Sequence, residues 1–295
     1  MQHLQNMRRE PPLAFLAARW LQGLHVRGAH RLEDYARSRG WFDVTVRYRL
    51  GARASIDVPL RDRPYALTDL FGYERSSVEF LASELGGLGY PVALIDCGAD
   101  IGLISARLVA ACPRIRHVVA LEPNEAIFGV LASNMRLLDV DARAELAAVA
   151  DFEGQGELVY PPHSRHDHAA YLVPEPGGSV DVTTVDRQDI PGDVAVALKA
   201  DVEGGEAAVL RGAERTLTQA PAFLVSFEAH RMQSQRARIE PIDLVRDILD
   251  LRPCDVYAVR CRISDDVESP HPVALDRPFF EQFAGNVYNV IAISR

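Results

Sequence analysis

Two sets of residues in this 295-residue sequence have the type and spacing to do chemistry. The first lies in LIDCGADIGLISARL (94–108), where an apolar stretch leads into Asp96. Gly98 and Gly102 then stand four positions apart, with Ala99 beside the first, before a helical pattern begins. Glycine at such a turn lets backbone approach a ligand closely. The second set closes two later apolar runs, Asp201 with Glu203 and Glu228 with His230. Residues two apart on extended chain point the same way, so the spacing predicts two pairs facing one cavity. Crowded carboxylates raise one another's pKa, which suits a general base near neutral pH, and His230 is the other natural base. Two other readings stay open. The same oxygens can hold a divalent cation that orients a diol, although no metal site is assigned. They can also form an internal polar network with Lys199 as counter-ion.

These residues need elements to hold them. VALID (92–96) is a short continuous apolar run, as in a strand covered on both faces. HVVAL (117–121), AELAAVA (144–150), VAVALKA (194–200) and AFLVSFE (222–228) read as further strands, with helical patterns between them. DVYAVRC (255–261) and NVYNVIAIS (286–294) finish the set as a candidate antiparallel pair. Strands alternating with helices predict an α/β fold, a doubly wound, mostly parallel sheet of seven strands. Residues 1–75 read as a mainly helical extension with short strands such as 44–50, and residues 76–295 as the ligand-binding unit.

In such sheets ligands sit outside the carboxyl ends of the strands, where strand order switches. The first loop lacks the middle glycine of the dinucleotide pattern G-x-G-x-x-G, and Asp100 stands where it would repel a pyrophosphate. No GxxxxGK[ST] loop is present either. An acidic rim suits a cation instead, and S-adenosylmethionine carries a sulfonium and an amino group but no phosphate. Glu122, at the end of the second strand, is placed to accept from both ribose hydroxyls, with Asn124 just beyond it. Asp151, just past the third strand, is placed to reach the adenine amino group. Asp96, Gly98, Ala99, Gly102, Glu122, Asn124 and Asp151 form the expected donor site. A nicotinamide-dependent oxidoreductase and a non-catalytic binding protein on a similar sheet remain the alternatives.

The same segments resemble a known family. LIDCGADIGLISARL is similar to the first motif of class I S-adenosylmethionine-dependent methyltransferases. LKADVEGGEAAVLRGAERTL (198–217) resembles the diagnostic segment of the FkbM type, I-K-I-D-V-E-G-x-E followed by V-L-x-G-A. Glu122-Pro123-Asn124 with the later Asn134, LVSFEAH (224–230), SVDVTTVDRQDI (179–190) with Asp186, and FGYERSSVEFL (71–81) fit as well. The resemblance covers about residues 70 to 295 and departs at Asp100, where the family usually has asparagine. It implies O-methyl transfer to a hydroxyl or carboxyl, often on a secondary metabolite or a glycan. The acceptor expected here is a hydroxyl of a small molecule or carbohydrate.

Composition narrows the rest. A net charge of −9 with scattered basic residues argues against a nucleic-acid surface. No apolar run reaches the roughly 18 residues of a membrane span. Four cysteines without a CxxC pair, and no export signal, lead to an expectation of reduced thiols in the cytoplasm. PPLAFLAARWLQGLHV (11–26) reads as an amphipathic helix with Leu13, Leu16, Trp20 and Leu24 on one face, for core packing or a homodimer. His163, His166 and His168 with Asp167 lie in a Pro-rich loop (156–178) that reads as a substrate loop, not a metal site.

Overall fold

A computed structural model of the chain describes residues 7–8, 10–24, 27, 29–61, 72, 74–160, 170–261 and 267–295. Among these, strands fall into three sheets. β1 (Met7–Arg8), β2 (Thr45–Arg49) and β3 (Ser55–Pro59) make the first. β4 (Val92–Cys97), β5 (Ile115–Leu121) and β6 (Asp141–Glu145) begin the main sheet. β7 (Ala148–Val149), β8 (Gly154–Val159), β9 (Tyr171–Pro174) and β10 (Val180–Thr183) form a separate four-stranded sheet in the order β7-β10-β8-β9. β11 (Ala195–Ala200), β12 (Phe223–Ala229), β13 (Cys254–Arg260), β14 (His271–Pro272) and β15 (Tyr288–Ser294) return to the main sheet, whose order is β14-β13-β15-β12-β11-β4-β5-β6.

The run β6-β5-β4-β11-β12 is parallel. β15 enters antiparallel to both β12 and β13, and β14 is antiparallel to β13. The main sheet therefore has eight strands and not seven, the extra one being the two-residue edge strand β14. The run 144–150, read as one strand, is divided between two sheets. β5 ends at Leu121, so its pairing with the neighbour stops at Glu145, and Ala148–Val149 then joins β10. Among its described residues the extension has both helices and short strands. It combines α1 (Leu13–Gly23) and α2 (Ala29–Ser38) with the β1-β2-β3 sheet.

β4 is apolar throughout because both of its faces are covered. Val92 and Leu94 pack with α3 (Arg75–Gly87), α4 (Leu103–Ala111), α5 (Glu125–Met135) and the β2-β3 hairpin. Ile95 and Cys97 pack on the opposite face with α6 (Glu206–Arg211), α7 (Glu214–Gln219) and α9 (Pro241–Leu251). Cys97 is fully buried and burial pushes its thiol upward, so it packs as a small apolar residue. α1 turns its neighbouring stripe inward. Phe15 and Ala18 are buried, Phe15 edge-on to Phe42, while Leu13, Leu16, Trp20 and Leu24 are exposed. No helix among the described residues is long and apolar enough to cross a membrane.

Strand order reverses at β4, with β5 on one side and β11 on the other. The loop after β4 therefore opens at the switch point, where this architecture places its ligands.

Candidate active site

The loop is built by close approaches of backbone. Gly98 has φ +78, and a Cβ there would stand 1.9 Å from the Asp201 carbonyl oxygen. The Gly98 and Ala99 amides both donate to the Leu121 carbonyl at 3.0 Å, locking the loop against the end of β5. Asp100 takes a left-handed conformation, φ +48, which Asn and Asp tolerate best among non-glycine residues. The aspartate that departs from the family pattern thus keeps the backbone that asparagine would give. Gly102 has φ +80 and begins α4. A Cβ there would meet Met135 Cε at 2.6 Å and Leu131 Cδ1 at 3.0 Å, so this glycine serves the packing of α5. Asn134, fully buried, donates to the Ile101 carbonyl at 2.8 Å and exchanges bonds with the backbone of Asp57. One side chain thereby ties the loop to the β2-β3 hairpin.

Beyond the strand ends lies a cavity of about 800 Å³. One side is lined by Gly98, Ala99, Asp100, Leu103, Ile104, Glu122, Asn124, Ile127 and residues 147–152. Glu122 is 8% exposed and each of its oxygens takes a backbone N–H, from Asp100 and from Asn124, both at 2.9 Å. Glu122 lines the cavity, and a carboxylate oxygen can accept more than one hydrogen bond. Asn124 caps α5, its Oδ1 accepting from the Ala126 amide at 3.0 Å. Asp151 lines the cavity while paired with Arg211 at 2.7 Å. The adjacent Gly212 lets this edge pack closely, since a Cβ there would stand 2.1 Å from the Ala150 carbonyl oxygen.

The other side carries the ionisable cluster. Alternation along adjacent strands brings Asp96, Lys199 and Glu228 to one face of the sheet at its rim. Lys199 Nζ lies 3.2 Å from Asp201 and 3.4 Å from Asp96 Oδ1. Burial alone would lower the Lys199 pKa, but the charges of Asp201 and Asp96 outweigh it and keep the ammonium charged. Asp96 Oδ2 accepts from Ser105 at 2.7 Å, whereas Oδ1 accepts no hydrogen bond despite its ion-pair distance to Lys199. Glu203 follows the strand in a left-handed turn, φ +59. Gln233, on α8 (Arg231–Ala237), donates through one nitrogen to Glu203 at 2.9 Å and to Glu228 at 3.0 Å. Burial raises the Glu203 pKa. Burial and then the Asp201 charge push Glu228 to about 9. Glu206 closes the 201–205 loop by accepting from the Val202 and Gly204 amides, and burial lifts it to about 7.

The cavity thus brings together Asp96, Gly98, Ala99, Glu122, Asn124 and Asp151 with Asp201, Glu203 and Glu228. Gly102 and His230 are not among its lining residues. His230 follows the last paired residue of β12 with extended backbone, φ −123 and ψ 127, and stands immediately before α8. Burial and Arg236 lower the His230 pKa and keep its ring neutral. Glu74 and Gln233 were not singled out from sequence, and Asn134 was named there only as part of the family resemblance. Among the described residues no group of three His, Cys, Asp or Glu is arranged as a metal site. His163, His166, Asp167 and His168 lie outside the described residues.

Comparison with known proteins bears on this site. The family model described as the methyltransferase FkbM domain matches residues 96–255, just over half of the chain, from Asp96 through the β12 rim to β13. A crystal structure of methyltransferase FkbM from Methylobacillus flagellatus is similar at 16% identity, covering 95% of this chain and 58% of that one, with a TM-score of 0.46. An S-adenosylmethionine-dependent O-methyltransferase from Thermotoga maritima is similar at 15% identity over 74% of this chain and 64% of that one, with a TM-score of 0.39. No curated protein sequence matches. Over the segment that builds both sides of the cavity, the chain belongs to the methyltransferase FkbM domain family.

Proposed function

We propose that this chain is an S-adenosylmethionine-dependent O-methyltransferase acting on a hydroxyl of a small molecule or carbohydrate. The observation that carries the reading is one cavity with a backbone-held carboxylate, Glu122, on one side and the amide-bridged pair Glu203 and Glu228 on the other. The cofactor, when bound, supplies an electrophilic methyl group on a positively charged sulfur. The residues present fit it. Glu122 offers both oxygens to a vicinal diol. Leu103, Ile104, Ile127 and Phe152 offer an apolar wall for a base, with Asp151 at its edge. Asp96, Gly98, Ala99 and Asn124 complete this side.

The acceptor half has to position a hydroxyl and take its proton. With its pKa raised to about 9, Glu228 carries a proton at neutral pH, which leaves Glu203 as the member of the pair assigned to take a proton. Glu203 therefore accepts the hydroxyl proton, Gln233 holds both carboxylates in place, and Asp201 acts as counter-ion to Lys199. His230 takes no part in this reading. The β8-β9 hairpin, through Leu158, Tyr171, Leu172 and Pro174, forms the wall that limits acceptor size. We further read residues 1–75 as an extension to the donor-binding unit 76–295, and the exposed α1 face as a contact between two copies of the chain. Incubation with methyl-labelled S-adenosylmethionine and small-molecule extracts tests the reaction. Label in alkali-stable ethers supports it, whereas label released by alkali as methanol shows carboxyl methylation instead.

A further inference from the structure

We propose that the outer face of α2, with the turn that follows it, docks on an anionic lipid surface. The inference goes beyond the reading above and rests on neither the cavity nor the α1 contact between copies. It begins with charge. Arginines run the length of the chain, but carboxylates are thin at its start. Residues 1–61 hold eleven arginines and five carboxylates, a charge of +6, whereas the remainder of this −9 chain carries −15. A negatively charged surface therefore attracts this end of the molecule and repels the other.

The same stretch gathers exposed apolar side chains. Of fourteen large apolar side chains exposed among the described residues, seven lie between Leu13 and Trp41, and both tryptophans of the sequence are among them. Four of the seven form the α1 stripe. The other three, Leu32, Tyr35 and Trp41, are each about half exposed. α2 packs inward through Ala36, which is buried, and so turns Arg31, Leu32 and Tyr35 outward. Gly40, φ +70, lets the chain reverse after the helix, and the Trp41 amide donates to the Ala36 carbonyl at 3.0 Å. Trp41 is thereby held edge-on to Tyr35 with ring centres 5.9 Å apart, and the Arg39 guanidinium stands 5.2 Å from the centre of the Tyr35 ring. Arg27 and Arg31 are exposed on the same segment. Against them stand Asp34, exposed on α2, and Asp43, which is paired with Arg61 at 3.2 Å. Tyrosine and tryptophan favour the boundary between headgroups and acyl chains, and arginine reaches lipid phosphate from that depth. A nucleic acid would use the arginines and leave Leu32 in water, which favours lipid.

Trp20→Phe leaves Trp41 as the one tryptophan of the full chain. That variant is mixed with vesicles of phosphatidylcholine alone and with vesicles rich in phosphatidylglycerol. Trp41 emission is expected to shift to the blue, and to be quenched by brominated acyl chains, on the anionic vesicles only, with the shift lost as salt rises from about 0.1 M to 1 M. Arg31→Glu with Arg39→Glu should weaken binding at least about tenfold. Tyr35→Ser with Trp41→Ser should abolish cosedimentation with the vesicles, and an unchanged far-ultraviolet circular dichroism spectrum shows that each variant keeps its fold. No shift on either vesicle, equal binding to both, full binding retained by either α2 variant, or tighter binding to polyuridylate than to anionic vesicles overturns the proposal.

Discussion

Glu122 shows how a single carboxylate is prepared for binding. Its two oxygens are fixed by the Asp100 and Asn124 amides, so no rotamer freedom is left to lose when a diol arrives. Hydrogen bonds to a charged group contribute about 1.5–3 kcal/mol each. Glu122→Ala should therefore weaken S-adenosylhomocysteine binding by at least about tenfold, and an unchanged dissociation constant by calorimetry would remove the assigned role. Glu228 makes a different prediction. Its folded pKa is above the ordinary carboxylate value, so its contribution to stability is present at low pH and is lost as pH rises toward 9. Glu228→Gln should raise the melting temperature at about pH 8, by roughly 2–4 °C for each kcal/mol relieved, with little gain near pH 4. Equal effects at both pH values would contradict the raised pKa. Glu122 was legible in the sequence because a carboxylate ending an apolar strand has a recognisable position. Gln233 was not, because a glutamine within RMQSQRA has no signature until α8 folds back over two strand ends. His230, expected beside Glu228, keeps extended backbone one residue past the strand but is not among the residues lining the cavity.

Among the elements, the loop after β4 is held by contacts that a sequence does not display. Gly98 and Gly102 have similar φ values but different reasons to be glycine. At Gly98 the obstacle is the Asp201 carbonyl, part of a neighbouring strand end that cannot yield. At Gly102 the nearest atom is the end of a methionine side chain. Gly98→Ala should give protein that is insoluble or loses cooperative unfolding. Gly102→Ala should cost about 1–3 kcal/mol from overpacking and backbone strain, and Met135→Ala in the same chain should recover part of that loss. Denaturant unfolding of the single and double variants checks this, and strictly additive losses would show that the methionine contact is not the cause. Four of the five parallel strands, β4, β5, β11 and β12, were legible from their apolar runs. The break between Glu145 and Ala148 was not, since it depends on where β5 stops rather than on the residues of 144–150 themselves.

At the scale of the whole molecule, the site is assembled from parts distant in sequence. The β2-β3 hairpin reaches the first loop through Asn134, the four-stranded sheet supplies an apolar wall, and α8 brings Gln233 across the rim. α1 leaves Trp20 67% exposed together with Leu13, Leu16 and Leu24. An exposed stripe of this kind favours association with a matching surface. Leu16→Glu with Trp20→Glu should shift the chain from dimer to monomer in sedimentation experiments, and a parent chain that is already monomeric would remove this assignment. The central claim is that the rim cavity holds a sulfur nucleoside by its ribose. It is tested most directly by a crystal structure of the chain grown with S-adenosylhomocysteine. The account predicts the nucleoside in this cavity with both ribose hydroxyls donating to Glu122. A cavity that stays empty, or a nucleoside bound with Glu122 turned away from its sugar, would contradict it.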